Sequence, residues 1–203
     1  MPNEIILLTG GAEGPYLENI LKNLNPKMSV VVVETREGLR RACMSPLPND
    51  QFVRRLIAYC TDIIVPQEFL DHVATPAYNF HPGPPAYPGT CVANFAIYEG
   101  AKTFGVCAHE MQASVDSGAI VGVDEFDVPE NARFIDLEIL AYKQLFQLFA
   151  RLASALACTD APLNTIDAEW GPHKTTKADL ERMKEFTADM SEDEIRRRWR
   201  AFG

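Results

Sequence analysis

The sequence has no Cys-x-x-Cys pair, no membrane-length apolar run, no Gly-x-Gly-x-x-Gly segment and no surplus of positive charge. Its five cysteines, at positions 43, 60, 91, 107 and 158, are odd in number and unpaired in spacing. That argues against a disulfide framework and against a cysteine-ligated zinc site, so reduced, mostly buried thiols are expected. A helical membrane span needs roughly 18–20 consecutive apolar residues, which the sequence never supplies. The opening Met1-Pro2-Asn3-Glu4 has no basic signal-peptide head, so a cytoplasmic protein without membrane attachment is expected. Without the dinucleotide fingerprint, a dehydrogenase is disfavoured. Formal net charge is −9 over 203 residues. Residues 171–203 are nearly balanced, at eight basic and seven acidic, which leaves 11 basic against 21 acidic in residues 1–170. Binding a long polyanion draws on a basic face. Nucleic acid is therefore not the expected partner, with tRNA kept as the alternative. Arg196-Arg197-Arg198 with Arg200 reads as a solvated helix face.

What is present is ordinary for a globular chain: 47% apolar and 23% charged residues. The length suits one domain with an appendage, residues 1–160 followed by a helical C-terminal extension over 161–203, packed on or beside it. Glu4–Thr9 is a compact apolar run. It is followed by Gly10-Gly11-Ala12-Glu13-Gly14, by Tyr16, Leu17, Ile20, Leu21 and Leu24 at helical spacing, and by Met28–Val33. Strand, glycine turn, helix and strand make the opening of a parallel α/β sheet. The unbroken run Val30–Val33 predicts a strand covered on both faces. Pro46 and Pro48 break the next stretch, leaving room for a helix over Glu37–Cys43. Leu56–Cys60 and Ala77–Phe80 read as the third and fourth strands, with a short helix around Gln67–His72 between them. Val92–Tyr98 predicts a helix ended by Gly100. Phe104–Met111 and Ala119–Phe126 predict strands joined through a turn at Asp116. The clearest helix carries Phe134, Leu137, Ala141, Leu145, Leu148, Leu152 and Leu156 at three- and four-residue spacing. Charge-dense helices over Lys177–Glu185 and Glu192–Ala201 predict a peripheral tail.

The most informative segment is Asn79-Phe80-His81-Pro82-Gly83-Pro84-Pro85, taken with Val115-Asp116-Ser117-Gly118. Side chains at i and i+2 of a strand share a face, so Asn79 and His81 emerge together. Pro82, Pro84 and Pro85 then forbid helix and stiffen the exit from the strand. The turn-forming Asp-Ser-Gly can return a carboxylate to the same sheet edge, where ligands of open α/β sheets bind. An amide, an imidazole and a carboxylate could thus converge beside one carbonyl.

These residues, with Pro88-Gly89, Glu99-Gly100, Phe104-Gly105-Val106, His109 and Ala119-Ile120-Val121, make the sequence resemble the 10-formyltetrahydrofolate-dependent formyltransferase family over roughly residues 50–158. The resemblance implies an α/β, Rossmann-like three-layer domain with a mostly parallel twisted sheet. It implies Asn79, His81 and Asp116 as the catalytic set, and 10-formyltetrahydrofolate as formyl donor with no metal. Thr61, Asp62, Ile63, Ile64 and Val65, with backbone near Val115, would line the pterin pocket. Gly10, Gly11, Gly83 and His109 are the candidate substrate-contacting residues, with His109 as a supporting histidine. In the implied reaction Asn79 donates to the formyl oxygen and His81 adds a second donor. Asp116 is expected to raise the His81 pKa and to help remove the proton of the attacking amine.

The first glycine loop departs from the family's purine-pathway members, since it lacks a Ser-Asn pair and carries Glu13, which would repel a phosphate. The sequence stops at Gly203 without the C-terminal β-barrel usual in methionyl-tRNA formyltransferases. A small-molecule amine, most plausibly on a nucleotide-linked sugar, is the expected acceptor. The alternatives are a methionyl-tRNA formyltransferase-like protein, a formyltetrahydrofolate hydrolase using the same triad, and a non-catalytic nucleotide-binding relative. A homodimer is the candidate assembly.

Overall fold

The computed structural model describes residues 1–73 and 75–203. Four strands, β1 (Glu4–Leu8), β2 (Ser29–Val33), β3 (Arg54–Tyr59) and β4 (Tyr78–His81), lie parallel in the order β2-β1-β3-β4. Two longer strands, β5 (Thr103–Glu110) and β6 (Ile120–Asp127), extend the sheet antiparallel beyond β4. The sheet is therefore mostly parallel, and helices cover both faces. Strand β1, flanked by β2 and β3, shows why. Ile5 and Leu7 point to one face and Ile6 and Leu8 to the other, all with no exposed surface. The first pair packs with α1 (Gly14–Leu24), α4 (Val92–Glu99) and α5 (Phe134–Cys158). The second packs with α2 (Arg36–Met44) and the short α3 (Gln67–Leu70). As expected for Val30–Val33, both faces of β2 are covered: Val30 and Val32 pack on one side of the sheet and Val31 and Val33 on the other. Because β2 is also the sheet edge, Val30, Val31 and Val32 are only half-buried.

Strand β3 begins two residues earlier than its apolar run, at Arg54 and Arg55, and both arginines are buried. Each is satisfied by a tertiary partner that the local sequence does not show. Arg54 pairs with Glu4 at 2.6 Å and donates to the Ser45 carbonyl at 2.9 Å. Arg55 donates to the carbonyls of Leu156, Thr159 and Ala161 at 2.6, 2.9 and 3.1 Å. It thereby caps the C-terminal end of α5, where unpaired carbonyls and the helix dipole both favour a cation. Arg55→Leu should leave those acceptors buried and unpaired, costing roughly 2–4 kcal/mol. Urea denaturation measures this, and a loss near zero would mean that water replaces the guanidinium.

The C-terminal region, with α6 (Lys177–Lys184) and α7 (Glu192–Phe202), departs in part from the expected peripheral tail. Helix α6 buries no residue, but α7 ends in the core. Phe202 stacks edge-on to Phe95 at 5.4 Å, and Asn94 donates its amide to the Ala201 carbonyl at 2.7 Å. Among the described residues, no helix is long and apolar enough to cross a membrane.

Candidate active site

The site grows from the end of β4. Tyr78 and Phe80 point into the core with no exposed surface, so the alternating Asn79 and His81 take the other face. Strand β5 runs antiparallel beside β4, and its register sets His109 directly opposite Asn79. Directly paired residues of neighbouring strands project to the same side. A register irregularity at Ala108/His109 then leads into the loop between β5 and β6. That loop folds back because Gly118 presses on the Glu110 carbonyl, where any side chain would overlap the oxygen. It carries Asp116 inward in a left-handed conformation, φ +46°, and leaves the residue only 2% exposed.

The four polar side chains meet. Asp116 Oδ1 lies 3.2 Å from His109 Nε2, and Oδ2 lies 3.8 Å from His81 Nδ1. The Gly89 N–H donates to Asp116 Oδ2 at 2.8 Å. Asn79 Nδ2 lies 3.1 Å from His109 Nε2. His109 Nδ1 faces the Glu110 carbonyl at 2.8 Å, which assigns a hydrogen to Nδ1. Its Nε2 then meets one donor and one acceptor. In the neutral ring it accepts from the Asn79 amide; with a second proton it donates to Asp116. One Asn79 N–H is thus used by His109 and the other stays free. His81 Nε2 faces the Tyr87 carbonyl at 3.1 Å, so it carries the hydrogen and Nδ1 keeps its lone pair towards Asp116. His109, expected as a support, is the side chain that links Asn79 to the carboxylate.

The electrostatics correct one expectation. Burial pushes the His81 pKa down from 6.5 by more than Asp116 and the Tyr87 carbonyl raise it, and His109 adds to the lowering. The imidazole is held neutral rather than charged. For Asp116, burial opposes ionisation, but the hydrogen bond from His109, the positive charge on His81 once acid protonates that ring, and the Gly89 N–H outweigh it. The carboxyl pKa is lowered from 3.8. A neutral base thus sits beside a fixed anion.

A cavity of about 470 Å³ opens onto these groups. Thr61, Asp62, Ile63, Ile64 and Val65 line it together with Val115, and Asn79, His81, His109 and Asp116 stand in its wall. Its lining includes Cys60, Cys91 and Asp116, three of the four non-glycine residues with positive φ among those described. Each such conformation costs on the order of 1–3 kcal/mol and tends to occur at functional sites. Gly83 lies outside the lining. It packs beneath His81 and Val92, where a Cβ would stand 2.7 Å from His81 Nε2. Gly10 and Gly11 also lie outside it, in the exposed turn after β1, and neither has a positive φ. The carboxylates of Glu13 and Glu34 stand over them. Sequence reading missed the contribution of the tail. Lys174, Thr175, Thr176 and Lys177 line the cavity, with Lys177 paired to Asp62 at 2.7 Å. Nothing in the periodicity of that charged segment signals this, because the contacts are made by irregular chain and by the first residue of α6.

Residues 55–138 match the sequence model of the family described as Formyl transferase. The methionyl-tRNA formyltransferase of Rickettsia bellii is 30% identical over 108 residues, which is 53% of this chain and 36% of the relative. The chain spans about a third of the length of the curated relatives it matches. Among solved structures, a 4-N formyltransferase from Francisella tularensis shares the fold with a TM-score of 0.73 at 16% identity, covering 98% of this chain and 87% of that one. The N-formyltransferase of Helicobacter canadensis, solved with folinic acid and dTDP-3-aminofucose, gives a TM-score of 0.63 at 18% identity, covering 100% and 81%. The matched segment, residues 55–138, holds Asn79, His81, His109 and Asp116, and it is this segment that is similar to the formyl transferase family.

Proposed function

We propose that this protein transfers a formyl group from 10-formyltetrahydrofolate to a primary amine of a small molecule, in the cytoplasm. The observation that carries this reading is the meeting of Asn79, His81, His109 and Asp116 in the wall of one cavity. The amine nitrogen attacks the formyl carbon, and negative charge grows on the formyl oxygen. The free Asn79 N–H is the donor for that oxygen, held in place by the bond from its other N–H to His109. His81 Nδ1 takes the proton of the attacking amine, and Asp116 stabilises the imidazolium that results. The bond from carbon to the folate nitrogen then breaks as that nitrogen takes the proton from the His81 imidazolium, which returns the base to its neutral form. The cavity supports a folate donor: Ile63, Ile64, Val65, Val92 and Met111 offer apolar wall for a flat ring, while Thr61 and backbone groups offer polar edges.

For the acceptor we favour a nucleotide-linked amino sugar. The ligands named for the Helicobacter canadensis protein support this, as does the acidic balance of residues 1–170, which suits tRNA poorly. Glycinamide ribonucleotide fits less well, because Glu13 and Glu34 occupy the space over the first glycine turn. The test is turnover of 10-formyltetrahydrofolate with nucleotide amino sugars, glycinamide ribonucleotide, methionyl-tRNA or no acceptor. Tetrahydrofolate formed only in the amino-sugar arm is expected. Formate released equally without an amine would favour the hydrolase. Failure to bind any reduced folate would end the reading altogether.

A pH profile follows from the site. His81 must be neutral to take a proton, and burial lowers its pKa below 6.5. As pH falls from 7, kcat/KM should hold until His81 protonates, so the acid limb has its midpoint below 6.5. A limb at or above that value would contradict the assignment of His81 as the base.

A further inference from the structure

Residues 170–175 cross both loops that carry the site. Gly171 N–H donates to the Pro85 carbonyl at 2.9 Å, and Thr175 N–H to the Pro88 carbonyl at 3.1 Å. Thr90 N–H donates to the Thr175 carbonyl at 2.9 Å, and the Thr175 hydroxyl to the Thr90 carbonyl at 2.6 Å. These bonds hold the chain after His81. On the other side, Trp170 Nε1–H donates to the Gly118 carbonyl at 2.8 Å, and Lys174 donates to the Val115 carbonyl and, at 2.9 Å, to the Ser114 hydroxyl. These hold the loop that carries Asp116. The approach is close. A side chain on Gly171 would overlap the Ala86 carbonyl, and one on Gly89, at φ +106°, would overlap the Thr175 carbonyl.

Trp170 occupies the centre of this strap. Its ring stands perpendicular to that of His109 with centroids 4.9 Å apart, and 6.2 Å from that of His81 at 70°. It is absent from the cavity lining, so it backs both imidazoles from outside the space where ligand would sit. An edge-to-face aromatic neighbour with an anchored N–H fixes ring orientation and excludes water.

We infer that Trp170 is a positioning residue for the proposed formyl transfer. It clamps the His81 and Asp116 loops together and keeps water from the two histidines. The inference rests on the proposed function for its kinetic part only. The ionisable groups that face His81 are Asp116, from the β5–β6 loop, and His109, from β5. Removing the indole deletes neither of these groups, but it admits water to the two rings. Because burial is the main cause lowering the His81 pKa, that pKa should rise towards its ordinary value in Trp170→Ala.

The experiment uses the full chain as wild type, Trp170→Phe and Trp170→Ala. Imidazole resonances of His81 are titrated by NMR without substrate, and steady-state rates are measured across pH. In Trp170→Ala the His81 midpoint and the acid limb of kcat/KM should both move to higher pH. A small misplacement of reacting groups costs up to about 100-fold in rate, so kcat should fall roughly 10- to 100-fold. The donor KM should change by less than about three-fold, since the cavity lining is intact. Trp170→Phe keeps a ring but loses the bond to Gly118, and should lie between the two. A His81 titration in a folded Trp170→Ala protein identical to wild type overturns the inference, whatever the rates. If the titration moves but no enzyme form turns over a reduced folate, the positioning role stands and the proposed reaction falls. If Trp170→Ala does not fold, Trp170→Phe decides by the same titration.

Discussion

Asn79→Ala is expected to lower kcat by about 10²–10³-fold, the usual cost of losing one donor to a developing oxyanion. The loss should appear in kcat and kcat/KM alike, because the interaction is made only as charge grows. Donor affinity, read by calorimetry with folinic acid, should stay within about three-fold of wild type, since the apolar walls of the cavity are untouched. The variant has a second consequence. Asn79 Nδ2 is bound to His109 Nε2, so its removal frees that nitrogen to pair with Asp116 alone. Asn79→Asp keeps the shape and removes both N–H donors, so it tests donation apart from side-chain volume. Full activity in either variant would show that the formyl oxygen is held by some other group.

Asp116→Asn is the second large effect. The carboxylate is buried, faces both imidazoles and accepts the Gly89 N–H. Without its charge an imidazolium at His81 is no longer compensated, and kcat should fall about 10²-fold or more. The acid limb should also move further down in pH, because Asp116 is the charge that raises the His81 pKa against burial. That direction opposes the shift expected for Trp170→Ala, so the two variants distinguish loss of charge from loss of burial.

Stability follows the same groups. Both the His81 and the Asp116 pKa are lowered in the folded protein, so the native state binds fewer protons than the unfolded chain. Stability from His81 is full above 6.5, and that from Asp116 is full above 3.8. Each part is lost as pH falls through the folded value. Thermal unfolding between pH 8 and 4 should show the first loss beginning near 6.5 in wild type and absent in His81→Gln.

How much was legible before the structure depended on whether a pattern was local. Strand β1 and helices α1 and α5 could be read because burial imposes a period of two or of three to four on consecutive residues. Asn79 and His81 could be read as a pair because alternation within β4 is a property of that strand alone. The edge position of β2 was not legible, since four consecutive valines look the same whether or not a further strand lies beside them. Nor were Arg54 and Arg55 at the start of β3, whose partners lie in other elements.

The amino-acid sequence by itself determined the alternating and helical periodicities, the proline-stiffened exit after His81, the Asp-Ser-Gly turn and the acid excess. Tertiary structure decided the rest. It placed His109 opposite Asn79 through an antiparallel register, brought Asp116 against both imidazoles, and laid Trp170 and Thr175 across the loops that hold them. The physical reason is that hydrogen-bond partners distant in the chain leave no periodic trace in it. The His81 pKa shows this most directly, since the sequence supplies the neighbouring charge but only packing supplies the desolvation that outweighs it.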